Sequence, residues 1–178
     1  LLSTVMLVAC SPGHTIVGNG KQKTVTDQEG DYTSVDVEGN FSVQLIPGHP
    51  GDVKLTTDSN LIKHISIGVD GSTLRITLEP RNVTLQSEKP IKLIIPVQTL
   101  HSLVKQGNVS IQGRGLQTDG LRIVSRGSGN INLSGKLGIT DIDHAGSGTT
   151  TISGINSKHL MMTSRGSGAV TLSGVVDT

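Results

Sequence analysis

Tryptophan is absent from the 178-residue chain, and Tyr32 and Phe41 are its sole tyrosine and phenylalanine. A core without bulky anchors must be assembled from Val, Ile and Leu, which suits repeated aliphatic layers better than a globule built round a few aromatic rings. Cysteine occurs once, at Cys10, so an intramolecular disulfide is excluded. Neither sign of charge is in excess: 15 Lys and Arg against 14 Asp and Glu leave a formal +1, and charged residues make up only 16%. Nucleic-acid binding would call for a basic footprint that this balance lacks. The six histidines show no close metal-ligand spacing, and no Ser/His/Asp arrangement is recognisable by local motif. Convincing helical periodicity is also missing. What the chain does have is glycine, 23 residues of it, gathered at regular places. That clustering argues against a disordered glycine-rich chain.

The N-terminus reads Leu1-Leu2-Ser3-Thr4-Val5-Met6-Leu7-Val8-Ala9-Cys10. This apolar run is too short to span a bilayer and fits the apolar region of a secretory signal. Leu7-Val8-Ala9-Cys10 is similar to a bacterial lipobox. The resemblance implies cleavage before Cys10, lipidation of Cys10 and a place in the cell envelope. Ser11 resembles the residue class that permits sorting to the outer membrane. The expected organisation is a partial signal peptide over 1–9, a lipidated cysteine and flexible tether over 10–30, and one β-domain over 31–178. The tether is expected because 11–30 is polar and holds only Ile16-Val17 as an apolar pair.

From Thr33 onward apolar and polar residues alternate, the period of a half-buried strand. Val35 and Val37 alternate with Asp36 and Glu38; Phe41, Val43 and Leu45 alternate with Ser42 and Gln44. Asp70-Gly71 is a hairpin signal between Ile65-Ile67 and Leu74–Leu78. Ile91–Ile95 reads as a further strand, and β-branched residues argue against a helical turn at 61–65.

From about residue 103 the chain becomes self-similar. Gly107-Asn108-Val109-Ser110-Ile111 matches Gly129-Asn130-Ile131-Asn132-Leu133, then Gly148-Thr149-Thr150-Thr151-Ile152 and Gly168-Ala169-Val170-Thr171-Leu172. The leading glycines lie 22, 19 and 20 residues apart. Thr150 is the one polar residue at the first apolar position. Three copies open on a turn: Gly127-Ser128-Gly129, Gly146-Ser147-Gly148 and Gly166-Ser167-Gly168. Two strands of about 17 Å plus two tight turns use about 20 residues, enough to close one coil of a β-helix with coils stacked about 4.8 Å apart. An antiparallel meander of hairpins is the alternative, since Gly-Ser-Gly also permits hairpins.

These turns, with the form Gly-Ser-Gly-Asn-Ile at 127–131 and the approach from Ile91 to Leu103, resemble the bacterial head GIN domain family of auto-transporter adhesins. The likeness covers residues 33 to 176. It implies an all-β fold, a right-handed parallel β-helix of two sheets with Gly-Ser-Gly at the tight turns, preceded by strands of the same domain. It implies adhesion as an inferred role and carries no catalytic motif.

Three side-chain groups merit separate weighing. Asp141-Ile142-Asp143-His144 is the densest polar cluster, but alternation puts the aspartates on the outer face and His144 opposite, so a cross-coil Arg122–Asp141 pair is the simpler account than a metal site. Arg126 and Arg165 each precede a Gly-Ser-Gly turn, two coils apart, and form a candidate basic ridge for anionic glycans or lipopolysaccharide, the alternative being solvated turn flanks that help solubility. Polysaccharide-cleaving β-helices need clustered acids in a groove, and the repeats hold few. The expected protein is therefore a non-enzymatic, lipid-anchored envelope module, without cofactor or metal. Its partners would be the membrane through Cys10, a host or envelope glycan or protein, or a second copy. A polysaccharide-acting enzyme and a periplasmic scaffold are the alternatives.

Overall fold

The computed structural model describes residues 13–177, so the lipobox and Cys10 lie outside the described residues. The chain is all-β apart from one 3-10 turn at Ile62–His64. No helix among the described residues is long and apolar enough to cross a membrane. The strands are β1 (His14–Val17), β2 (Gln22–Gln28), β3 (Ser34–Pro47), β4 (Asp52–Asp58), β5 (Ile65–Asp70), β6 (Thr73–Leu78), β7 (Val83–Gln86) and β8 (Lys92–Val97). The repeat supplies β9 (Ser102–Gly127), β10 (Ile131–Gly146), β11 (Thr150–Ser157), β12 (Met161–Arg165) and β13 (Val170–Val176). Eleven strands form one mixed sheet, ordered β13-β11-β10-β9-β3-β8-β4-β2, with β12 on β10 and β6 on β3. β1 and β7 form a separate parallel pair.

Pairing among β9 to β13 is parallel throughout. Ile131 faces Ile111 on one side and Thr150 on the other, and Thr150 faces Val170. Each step is one repeat, so like residues stack on like, and the antiparallel meander is excluded for this segment. Antiparallel pairing is confined to β2–β4, β4–β8 and the β5–β6 hairpin. That hairpin turns at Gly71-Ser72, one residue later than the Asp70-Gly71 signal, because Asp70 still pairs with Thr73; Gly71 takes φ +62.

Alternation sets the core. Val35, Val37, Phe41, Val43 and Leu45 of β3 are buried, and Ile111, Ile131, Leu133 and Ile152 continue the same layer through the repeat. Each such side chain contributes roughly 1.5–3 kcal/mol through burial. Tyr32 packs beneath them, and its hydroxyl donates to the Pro96 carbonyl at 2.6 Å.

Three expectations change. The segment expected as a flexible tether holds two strands: β1 pairs with β7, and β2 pairs with β4 over seven residues. Their side chains are almost all exposed, so backbone hydrogen bonding rather than apolar patterning places them there. The short turn at Ile62–His64 forms where β-branched residues suggested extended chain. Finally, the repeat has five members. β3 pairs in register with β9 from Ser34–Ser102 to Leu45–Gly113, so Gly39-Asn40-Phe41-Ser42-Val43 stacks on Gly107-Asn108-Val109-Ser110-Ile111. The chain between them, carrying β4 to β8, interrupts the period.

Candidate functional site

The Gly-Ser-Gly turns superpose into a corner that runs along the stack. A Cβ placed on Gly127 would come within 2.6 Å of the Gly107 carbonyl oxygen, and one on Gly107 within 2.6 Å of the Gly39 oxygen. Gly146 meets Gly127, and Gly166 meets Gly146, in the same manner. The outer glycines Gly148 and Gly168 rest on the Gly129 and Gly148 carbonyls. Ser128 and Ser147 lie exposed at the tips, as does Ser167. The backbones approach so closely at these glycines that no side chain fits between successive repeats. Polar side chains beside the turn tie neighbouring coils together. Asn108 Nδ2 donates to Asn40 Oδ1 at 2.9 Å, and the Thr149 amide donates to Asn130 Oδ1 at 2.9 Å.

Two residues before each leading turn glycine, a side chain points into the corner. This inner column runs Val37, Lys105, Ser125, His144, Ser164. Lys105 is fully buried, and its Nζ donates to the Ser128 and Gly129 carbonyls at 2.7 and 3.0 Å. Burial lowers its pKa. The ammonium thus satisfies backbone carbonyls of the next turn. His144 is 1% exposed, with Nδ1 3.2 Å from Thr150 Oγ1. Thr150, the polar exception at an apolar position, is therefore the partner of the only histidine in the column. Ser125 Oγ and His144 Nε2 are buried without a protein partner.

One residue later, side chains point outward. Arg126 faces Ala145, and Ala145 faces Arg165, so the two arginines share one column. Glu38 and Gln106 precede them on the same column. At its start lies a depression of about 390 Å³, lined by Glu38, Thr77, Gln106, Arg126, the turn glycines and Arg81. Arg81, just beyond β6, was not singled out in the sequence, because only the β3–β6 pairing brings it beside Arg126. The arginine–carboxylate pairs among the described residues are Arg75–Asp70 and Arg122–Asp141. Arg81, Arg126 and Arg165 have no carboxylate within 4.0 Å there.

The Arg122–Asp141 pair forms as expected, Nε to Oδ2 at 3.0 Å, between residues in register. Asp143 and His144 are successive residues on β10 and so point to opposite faces of the strand, with Asp143 Oδ1 buried without a partner, and the 141–144 cluster does not converge on a point. Among the described residues no group of three His, Cys, Asp or Glu is placed to hold a metal ion. A larger cavity of about 680 Å³ lies at the opposite corner, lined by Asp119, Lys136, Asn156, Lys158, His159 and Asp177 among others.

A family model described as "Putative auto-transporter adhesin, head GIN domain" matches residues 31–176. No curated protein matches the chain. Among solved structures, the chain is similar to a putative cell adhesion protein from Clostridium sporogenes, at 12% identity over 87% of this chain and 99% of that one, TM-score 0.53. It is similar to a putative lipid binding protein from Parabacteroides distasonis, at 19% identity over 91% and 98%, TM-score 0.51. A putative adhesin from Parabacteroides merdae aligns at 15% identity over 91% and 99%, TM-score 0.49. At these identities the likeness to the first two is one of fold.

Proposed function

The chain belongs to the head GIN domain family, and from that membership we propose that it is a non-enzymatic surface-interaction module of the bacterial cell envelope. The observation that carries this reading is the match over 31–176, nearly the whole described domain. For the repeat over 102–176 the form we read is the right-handed parallel β-helix of two sheets; parallel pairing at one-repeat offsets supports the stacking of its coils. Lipidation at Cys10 anchors it to the outer membrane, an assignment supported by Leu7-Val8-Ala9-Cys10. A solvated, ordered outer face with side chains at strand spacing suits recognition of an extended partner rather than enclosure of a reacting group.

Whole-cell protease shaving tests the reading. The intact lipoprotein should be cleaved on unbroken cells, and Cys10→Ala should release it from the membrane fraction. Protection from protease would leave a periplasmic scaffold instead. Release of reducing ends from envelope polysaccharide by the purified chain would overturn the non-enzymatic assignment.

A further inference from the structure

We propose that the depression at the glycine corner binds an acidic saccharide chain, with Arg81 and Arg126 gripping one anionic group and Arg165 the next. The inference rests on the surface-module reading and names the ligand chemistry of that surface. Two guanidiniums line one depression, and neither is within 4.0 Å of a carboxylate among the described residues. Guanidinium forks without a protein partner are matched to carboxylate or sulfate groups, which they hold through paired N–H donors. The same depression carries acceptors: the Glu38 carboxylate, the Thr77 hydroxyl and the Gln106 amide. A bare inorganic anion would be repelled by Glu38. A sugar acid presents hydroxyl donors to Glu38 beside the anion that the arginines hold.

Spacing extends the argument. Arg126 and Arg165 are separated on their column by Ala145 alone. Two strand spacings amount to about 10 Å, on the order of one disaccharide. A chain with an acid group on alternate sugars would meet both arginines, and the small Ala145 leaves the path between them open. Stacking on an aromatic ring is not available to hold the sugar, because Tyr32 and Phe41 are both in the core. Recognition then depends on charge and hydrogen bonds, so each contact is weak and salt-sensitive. Many copies on one surface make up the affinity by multivalency.

Titration calorimetry on the full chain carrying Cys10→Ala, which has no lipid anchor and needs no detergent, tests this, with six probes. They are a polygalacturonate hexasaccharide, monomeric galacturonate, a heparin hexasaccharide, neutral maltohexaose, inorganic phosphate, and phosphatidylcholine vesicles containing phosphatidylglycerol. The acidic hexasaccharides should bind and maltohexaose should not, with affinity falling as salt rises. Combining Arg81→Ala with Arg126→Ala should weaken binding by about tenfold or more. Arg165→Ala should weaken hexasaccharide binding and leave binding of monomeric galacturonate unchanged. Equal binding of acidic and neutral sugars, binding of phosphate or vesicles alone, or a double variant that binds like wild type would overturn the proposal. Shaving on cells separates the two readings. A surface-exposed chain that ignores acidic sugars sinks this inference only, whereas a protease-protected chain sinks the surface reading whatever it binds.

Discussion

At Gly127 a single hydrogen stands between the turn and the carbonyl of the coil below. The residue has φ +88, and a Cβ there would sit 2.6 Å from the Gly107 oxygen. Two costs therefore add on Gly127→Ala: the left-handed backbone and the displaced coil. The expected loss is about 2–4 kcal/mol in denaturant unfolding. Gly71→Ala is the control, since Gly71 also has positive φ but open space around it; it should cost only about 1–2 kcal/mol. Equal losses at the two sites would mean that close stacking contributes nothing. Tyr32 supplies a prediction of another kind. Burial pushes its phenol up to about 12, opposed by the Gly51 backbone and helped by the nearby Glu29 charge. The folded state then holds the proton more tightly than the unfolded chain. Its stabilising contribution is complete below pH 10 and is lost as pH rises through about 12. The difference in unfolding free energy between wild type and Tyr32→Phe should shrink across that window by up to about 2 kcal/mol. A constant difference from pH 9 to pH 12 would refute the assignment.

Among the elements, the coil containing β10 and β11 departs most from its siblings. Ser125 pairs in register with His144, and Ile131 with Thr150, so two polar substitutions occur on one coil and touch. Thr150→Val restores the apolar layer but removes the partner of His144 Nδ1, and should cost about 1 kcal/mol despite the gain in apolarity. His144→Ser with Thr150→Val copies the pattern of the neighbouring coils. A double-mutant cycle should give a coupling of at least about 0.5 kcal/mol; strict additivity would show that the pair does not interact. The same elements show what could be read in the sequence. Strands β9 to β13 were legible because each copy repeats both its glycines and its inward aliphatic positions. β3 is as close a copy, Gly-Asn-Phe-Ser-Val against Gly-Asn-Val-Ser-Ile, yet it lies off the 20-residue period because β4 to β8 intervene. β1 and β2 carry exposed side chains and so no alternation to find. Arg126 and Arg165 were visible from their place before the turns. Arg81 was not, because its neighbourhood is made by strand pairing distant in sequence. Removing residues 1–30 tests the largest correction. Without β2, the edge of β4 is bared, and the melting temperature should drop by about 4 °C or more; an unchanged melting curve would restore the tether.

For the molecule as a whole, the stack has an asymmetry between its ends. Inward positions are sealed wherever a coil lies on both sides: Ile142 and Ile152 are 0% exposed. Their register partners on β12 and β13 are Met162, 49% exposed, and the half-exposed Leu172. Met161, Val175 and Val176 are exposed beside them. β13 has a neighbour on one side only among the described residues, and from Val170 to Val176 it carries neither charge nor proline. Edge strands are normally protected by such residues, and an unprotected one templates further strands. β2, at the other end of the order, does carry charge, with Lys23 and Asp27. Association of the isolated domain should therefore start at β13. Thr171→Lys with Val175→Lys places two charges at exposed positions of that strand, and should slow light-scattering growth by about threefold or more with little change in melting temperature. Asn132→Lys, also exposed but on the internally paired β10, adds charge away from the edge. If it slows aggregation as much as the edge pair does, net charge rather than the open coil governs association, and the asymmetry of the stack has no consequence in solution.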